Sequence, residues 1–161
     1  GLSTIFGVSV NNPQDFGVVS FNSDNKIEKI VEKPINPTTD VIVAGLYFYT
    51  NDVIEIANGL IPSKRGELEI TELNNIYLSR NKLSLLKLDK EIKWIDTGTY
   101  NSLLKASRFF QDKEKSTQKK FACIEEISLK MGYIKKEQLE VIARSMQNSE
   151  YGEYLFRLIN K

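Results

Sequence analysis

An α/β fold followed by a small helical region is what this sequence predicts, and three features carry the prediction. Val41–Tyr49 is a nearly continuous run of apolar, β-branched and aromatic residues, the pattern of a strand buried on both faces inside an α/β sheet. Phe16–Phe21 and Lys26–Glu32 flank the turn cluster Asn22–Asn25, which reads as a hairpin with a loop of about four residues. Beyond Asp112 only helical spacings remain.

The other elements follow in order. Gly1–Val10 is apolar without a basic lead, so it reads as a strand rather than a leader peptide. Pro34 and Pro37 bracket a loop. Asn51 or Asp52 caps a short helix that runs to Asn58 and stops at Gly59. Pro62–Gly66 is a polar loop. From Glu69, Ile70, Leu73, Ile76 and Tyr77 recur at helical spacing as far as Ser79. Lys82–Leu88 and Ile92–Ile95 read as two more strands. Thr99 suits the N-cap of a helix whose apolar stripe is Leu103, Ala106 and Phe110. Asp112–Lys120 is charged, a helix end or a linker. Helical patterns cover Ile124–Lys130, Glu137–Met146 and Tyr151–Ile159. The chain thus divides into an α/β part, residues 1–111, and a helical part, residues 112–161.

Composition narrows the chemistry. The 22 basic and 21 acidic residues leave a net charge of +1, without the basic footprint of a nucleic-acid binder. Lys113, Lys115, Lys119 and Lys120 are interleaved with acids and read as a solvated helix face. No apolar run reaches the ~18 residues of a membrane span. Cys123 is the single cysteine, which suits a reducing cytoplasm. There is no histidine, so the commonest general base and zinc ligand is missing. Chemistry here must rest on carboxylates, lysine and arginine.

Three segments offer those groups. In Val31-Glu32-Lys33-Pro34 a strand ends on an acid and a base, and a bend there can turn both towards one pocket. A carboxylate accepts sugar hydroxyls and an ammonium neutralises phosphate. In Trp94-Ile95-Asp96-Thr97-Gly98-Thr99, Asp96 follows a strand and precedes a helix, where a carboxylate holds Mg²⁺ or simply caps a turn. Between them, Arg65 offers a planar fork for phosphate. Glu67 and Glu69, two apart, offer either a carboxylate pair on one face of an extended segment or helix N-terminal acids favoured by the dipole, the second reading being preferred for Glu69.

The order of these pieces is more specific than any one of them. Phe-Gly-Val-Val (16–19), Val-Glu-Lys-Pro (31–34), Gly-Leu-Tyr-Phe-Tyr (45–49), Arg-Gly-Glu-Leu-Glu-Ile-Thr (65–71) and Trp-Ile-Asp-Thr-Gly-Thr (94–99) occur in sequence. Together they resemble the glucose-1-phosphate thymidylyltransferases, bacterial sugar nucleotidyltransferases. Ala-Cys-Ile-Glu-Glu-Ile (122–127) and Tyr-Gly-Glu-Tyr-Leu (151–155) extend the resemblance over essentially the whole chain.

The resemblance implies part of a nucleotidyltransferase Rossmann-like mixed sheet with flanking helices. It implies conversion of dTTP and glucose 1-phosphate to dTDP-glucose and pyrophosphate, with Mg²⁺, in deoxysugar biosynthesis of the dTDP-rhamnose type. By position, Glu32 would bind glucose hydroxyls, and Lys33 and Arg65 the sugar phosphate. The backbones of Gly17 and Val43 and the ring of Tyr47 would line the sugar pocket. Asp96 would ligate the metal, with Trp94 beside it. Glu126, Ile127 and Lys130 match a regulatory site, with lysine where an arginine is usual. The family's glycine-rich phosphate loop has no counterpart among the nine scattered glycines. The chain is therefore expected to be a C-terminal portion, inactive alone, with an open sheet edge that favours self-association into a homo-oligomer. Its expected setting is the cytoplasm, with no nucleic acid or membrane partner. Two alternatives stay open: transfer of another nucleotide to a sugar 1-phosphate, and a non-catalytic sugar-phosphate-binding or oligomerisation module.

Overall fold

The computed structural model describes residues 1–160. Its contacts divide the chain into two compact units, Gly1–Trp94 and Ile95–Lys161. Residue 111, where the composition shifts, lies inside a helix of the second unit.

The first unit is an α/β layer. Five strands, β1 (Ser3–Ser9), β2 (Gly17–Phe21), β3 (Ile27–Glu32), β4 (Val41–Phe48) and β5 (Leu83–Lys87), form one sheet in the order β3-β2-β4-β1-β5. β1 runs antiparallel to β4 and parallel to β5, so the sheet is mixed. The hairpin forms as its sequence predicts. The Asn22 Oδ1 accepts bonds from the Asp24 and Lys26 amides, each at 3.0 Å, and Asn25 takes the left-handed backbone at φ 58°. Its register sets Gly17 opposite Glu32 and Val19 opposite Ile30.

Strand alternation sends Ile5, Val19, Ile30 and Val41 to one face, where they form a core with Val43, Tyr47, Leu83 and Leu85. Two helices follow in this unit, α1 (Val53–Asn58) and α2 (Ile70–Ser79). Leu73 and Tyr77 of α2 close a second cluster with Ile56 of α1. Each fully buried large apolar side chain contributes ~1.5–3 kcal/mol relative to exposure.

The second half of β4 departs from the expected burial on both faces. Val41, Ile42 and Ala44 are buried, but Leu46 and Phe48 are exposed. β4 is central by hydrogen bonding, which satisfies its backbone without covering every side chain. Ile92–Ile95 is not a strand either. The stretch from Leu88 to Thr99 carries no regular element, and β5 ends the sheet on that side. Ile92, Trp94 and Ile95 are apolar but Lys93 between them is charged, and this short interrupted run does not pair with the open edge of β5.

The second unit is helical: α3 (Tyr100–Thr117), α4 (Ile124–Lys130), α5 (Lys136–Ser145) and α6 (Glu150–Ile159). Thr99 caps α3 as expected, in a reciprocal capping box with Ser102. Most of the charged stretch 112–120 is helix, ending at Gln118 with φ 56°. Cys123, Leu139, Ala143, Tyr154 and Leu155 form the core.

At the start of α6 the Ser149 hydroxyl accepts the Gly152 amide at 3.1 Å. A Cβ on Gly152 would stand 2.0 Å from the Met146 carbonyl oxygen, a backbone atom that cannot yield cheaply. Gly152→Ala is therefore expected to destabilise the second unit by ~1–3 kcal/mol or more. Denaturant unfolding followed by circular dichroism checks this; an unchanged midpoint contradicts the packing described.

Candidate functional site

The site is assembled at the carboxyl end of β3, by the helix that packs on that strand. Thr71 and Asn75 are one turn apart on α2 and so share a face. Asn75 grips the backbone of Ile30, accepting its amide at 3.1 Å and donating to its carbonyl at 2.9 Å. Two residues on, the Thr71 hydroxyl donates to Glu32 Oε2 at 2.5 Å. β3 is an edge strand of the described sheet, so Asn75 satisfies backbone groups that would otherwise be unpaired.

Glycine opposite Glu32 has a steric reason. A Cβ on Gly17 would come within 3.0 Å of Thr71 Oγ1 and 3.3 Å of Glu32 Oε2. The carboxylate thus folds over Gly17 and leans on Thr71. Lys33 follows at φ 42°, with its amide bonded to the Phe16 carbonyl at 3.0 Å. This left-handed residue breaks the alternation of β3, the bend that the sequence suggested for a strand end.

The loop before α2 brings in Arg65. It is closed by Ser63 N–H to Glu67 C=O and Gly66 N–H to Ser63 C=O, both at 2.8 Å, with Gly66 at φ +78°. Arg65 Nη1 lies 3.9 Å from Glu32 and 3.3 Å from Glu69, while Nη2 lies 3.1 Å from Glu67. Ser63 donates to the same Glu69 carboxylate at 2.9 Å. Glu69 occupies the N-cap position of α2 without a cap hydrogen bond. Its carboxylate thus sits at the helix N-terminus, as the sequence suggested, and also orients Arg65. Glu32 and Arg65 line a cleft of about 680 Å³ together with Ser63, Glu69, Thr71 and Asn75.

The remaining expected residues are placed as follows. Val43 and Tyr47 share the sheet face of Ile30, Val43 half-buried in the core. Tyr47 stacks on Tyr49 at 5.7 Å, and Tyr49 on Tyr77 at 5.4 Å, so a ladder of rings fixes its position. Burial, and secondarily the Glu32 charge, push the Tyr47 hydroxyl above its ordinary pKa. Trp94 packs edge-to-face on Phe16 at 5.4 Å, next to Gly17. Gly17, Lys33, Val43, Tyr47 and Trp94 do not themselves line the cleft.

Asp96 belongs to the second unit, where Oδ2 accepts the Gly98 amide at 3.1 Å. That bond is the turn-capping role weighed for it. Among the described residues no three His, Cys, Asp or Glu side chains converge as a metal cage. The donor set fits Mg²⁺ only in its sparse form, one carboxylate with the remaining oxygens supplied from outside.

Glu126 and Lys130 form an i,i+4 ion pair at 2.6 Å on α4, and the Tyr154 hydroxyl of α6 donates to the same carboxylate. Ile127 beside them is exposed. Sequence reasoning missed Thr71, Ser63 and Asn75. Their one signal is polarity on an amphipathic helix and at its entry loop.

Residues 1–113 match the profile of the Nucleotidyl transferase family. This chain belongs to that family. The glucose-1-phosphate thymidylyltransferase of Neisseria meningitidis serogroup A is 45% identical over 159 residues, which cover 99% of this chain and 55% of that protein. That of Mycobacterium tuberculosis is 44% identical over 157 residues, 98% and 54% respectively. This nucleotidyl transferase chain thus spans about half the length of the curated relatives it matches. A Bacillus anthracis protein assigned as a glucose-1-phosphate thymidylyltransferase, solved with a sucrose, superposes with a TM-score of 0.59 at 38% identity, over 66% of this chain and 42% of that one. A UDP-glucose pyrophosphorylase complexed with UDP-glucose reaches the same score at 23% identity, over 70% and 45%, and shows the shared fold. No helix among the described residues is long and apolar enough to cross a membrane.

The α4–α6 clasp yields a pH prediction. Hydrogen bonds from Lys130 and Tyr154 lower the Glu126 pKa from 4.5, so its stabilisation is present above pH 4.5 and lost as pH falls through the lowered value. Burial, then the bond to Glu126, pushes Tyr154 up to about 12, so that contribution is intact below pH 10 and lost on approaching about 12. Denaturant unfolding across pH is expected to show a flatter acid limb in Glu126→Gln and a flatter alkaline limb in Tyr154→Phe. Limbs unchanged from wild type would contradict the clasp.

Proposed function

We propose that this chain carries the sugar-phosphate side of a nucleotidyl transferase that makes dTDP-glucose and pyrophosphate from dTTP and glucose 1-phosphate, in deoxysugar biosynthesis. The observation that carries the reading is the fixed Glu32 carboxylate, held by Thr71 over Gly17 with Arg65 alongside. A preset carboxylate accepts two sugar hydroxyls, and a guanidinium beside it meets a phosphate. The names of the relatives at 45% and 44% identity support that substrate class.

In this reading Glu32 orients glucose through its hydroxyls, aided by the backbones of Gly17 and Val43 and the wall of Tyr47. Lys33 and Arg65 hold the phosphate, with Trp94 bordering the site. The sugar phosphate oxygen attacks the α-phosphorus in line, and the protein contributes positioning and charge stabilisation rather than a nucleophile. Asp96 would hold Mg²⁺, which supplies further neutralisation of phosphate oxygens when bound. Glu126, Ile127 and Lys130 form the proposed regulatory surface; Lys130 is already paired with Glu126 and lacks the bidentate fork of arginine.

The glycine-rich phosphate loop of the resemblance is not within these residues, so the 161-residue chain is expected to form no dTDP-glucose by itself. A coupled pyrophosphate-release assay tests this, and turnover by the isolated chain would contradict it. Isothermal titration is expected to give weak, millimolar-range binding of glucose 1-phosphate that Lys33→Ala abolishes. An absence of binding at millimolar ligand would favour the scaffold alternative and overturn the assignment.

A further inference from the structure

Arg65 faces more negative charge than it can neutralise. Glu32, Glu69 and Glu67 all approach one guanidinium, at 3.9, 3.3 and 3.1 Å. The first two are held in place by other donors, Thr71 for Glu32 and Ser63 for Glu69. Their side chains are 24% and 15% exposed. Glu67 differs. Its side chain is 60% exposed, and Arg65 is its only partner among the described residues. Such an exposed pair is worth only ~0.2–1 kcal/mol.

Resting on the reading above, we infer that Glu67 is a resident carboxylate that occupies the phosphate's place on Arg65 and must leave when a sugar phosphate binds. Carboxylate and phosphate both fit the guanidinium fork, so they compete for the same Nη2 edge. Glu69 and Ser63 keep the Nη1 edge fixed throughout, so Arg65 exchanges its outer partner without losing its orientation. The exchange also removes a like charge from the path of an incoming dianion. Glu67 is thereby an autoinhibitory positioning residue that sets how strongly the site takes phosphate over an uncharged sugar.

The test is isothermal titration of the 161-residue chain, wild type, Glu67→Gln and Lys33→Ala, with glucose 1-phosphate and with glucose at low salt. Glu67→Gln is expected to bind glucose 1-phosphate roughly two- to fivefold tighter. Its response to glucose is expected to match wild type, and the gain to shrink as salt screens the site. Circular dichroism confirms the fold, which an exposed side chain should not disturb. Equal or weaker binding by Glu67→Gln overturns the inference, while the site assignment stands if wild type binds and Lys33→Ala does not. No binding of glucose 1-phosphate by either wild type or Glu67→Gln overturns both. A gain that appears equally with glucose also overturns it, since the exchange requires a phosphate.

Discussion

Two polar residues one helical turn apart hold the end of an edge strand, and the site depends on that grip. Asn75 pairs with both backbone groups of Ile30, and Thr71 with the carboxylate of Glu32. Without them β3 would keep its hairpin partner but lose its second anchor, and Glu32 would swing as an ordinary exposed acid. The grip is directional in a way that apolar packing is not. It fixes the register of α2 along β3, and with it the loop before α2 that carries Arg65. A hydrogen bond of this kind contributes only ~0.5–1.5 kcal/mol net. Its value to the site lies in geometry rather than in stability.

Charge gives the arrangement its functional direction. A surface of three carboxylates and one arginine is a poor place for a phosphate until an outer carboxylate moves. It is a good place for sugar hydroxyls, which carry no charge and satisfy carboxylate oxygens. The Tyr47 hydroxyl, whose pKa burial raises further, adds a donor on the same sheet face. Selection for the sugar and acceptance of its phosphate are thus separable tasks. In the proposed function the inner acids would serve the first, and the balance between Arg65 and Glu67 the second.

Much of the fold was legible in the sequence because its periods are clean. The hairpin, the strand at 41–48, the helix at 70–79 and the three helices from Ile124 each follow an apolar spacing that the structure reproduces. Ile92–Ile95 misled because three apolar residues around Lys93 suggest burial without specifying a partner strand. The charged stretch 112–120 left a helix end and a linker both open because it carries no apolar stripe, and the structure makes most of it helix. In the site, Glu32 and Arg65 stand together, a proximity that came from the resemblance and not from their spacing. Thr71, Ser63 and Asn75 were not legible, because a polar residue on an amphipathic helix usually faces water. Here it faces a strand edge, a relation that exists only in three dimensions. Glu69 was legible as a helix N-terminal acid, but its partners Arg65 and Ser63 were not, since they lie in the loop before the helix.

The central claim is that one small-molecule site is built by the β3 end, Gly17 and the Arg65 loop. Amide chemical-shift mapping during a titration of the ¹⁵N-labelled chain with glucose 1-phosphate tests it most directly. The account predicts that the largest shifts fall at Gly17, Glu32, Lys33, Arg65 and Glu67, while the core amides of Leu139, Ala143 and Leu155 stay in place. Shifts spread evenly over both units, or concentrated away from β3 and the 63–67 loop, would contradict it.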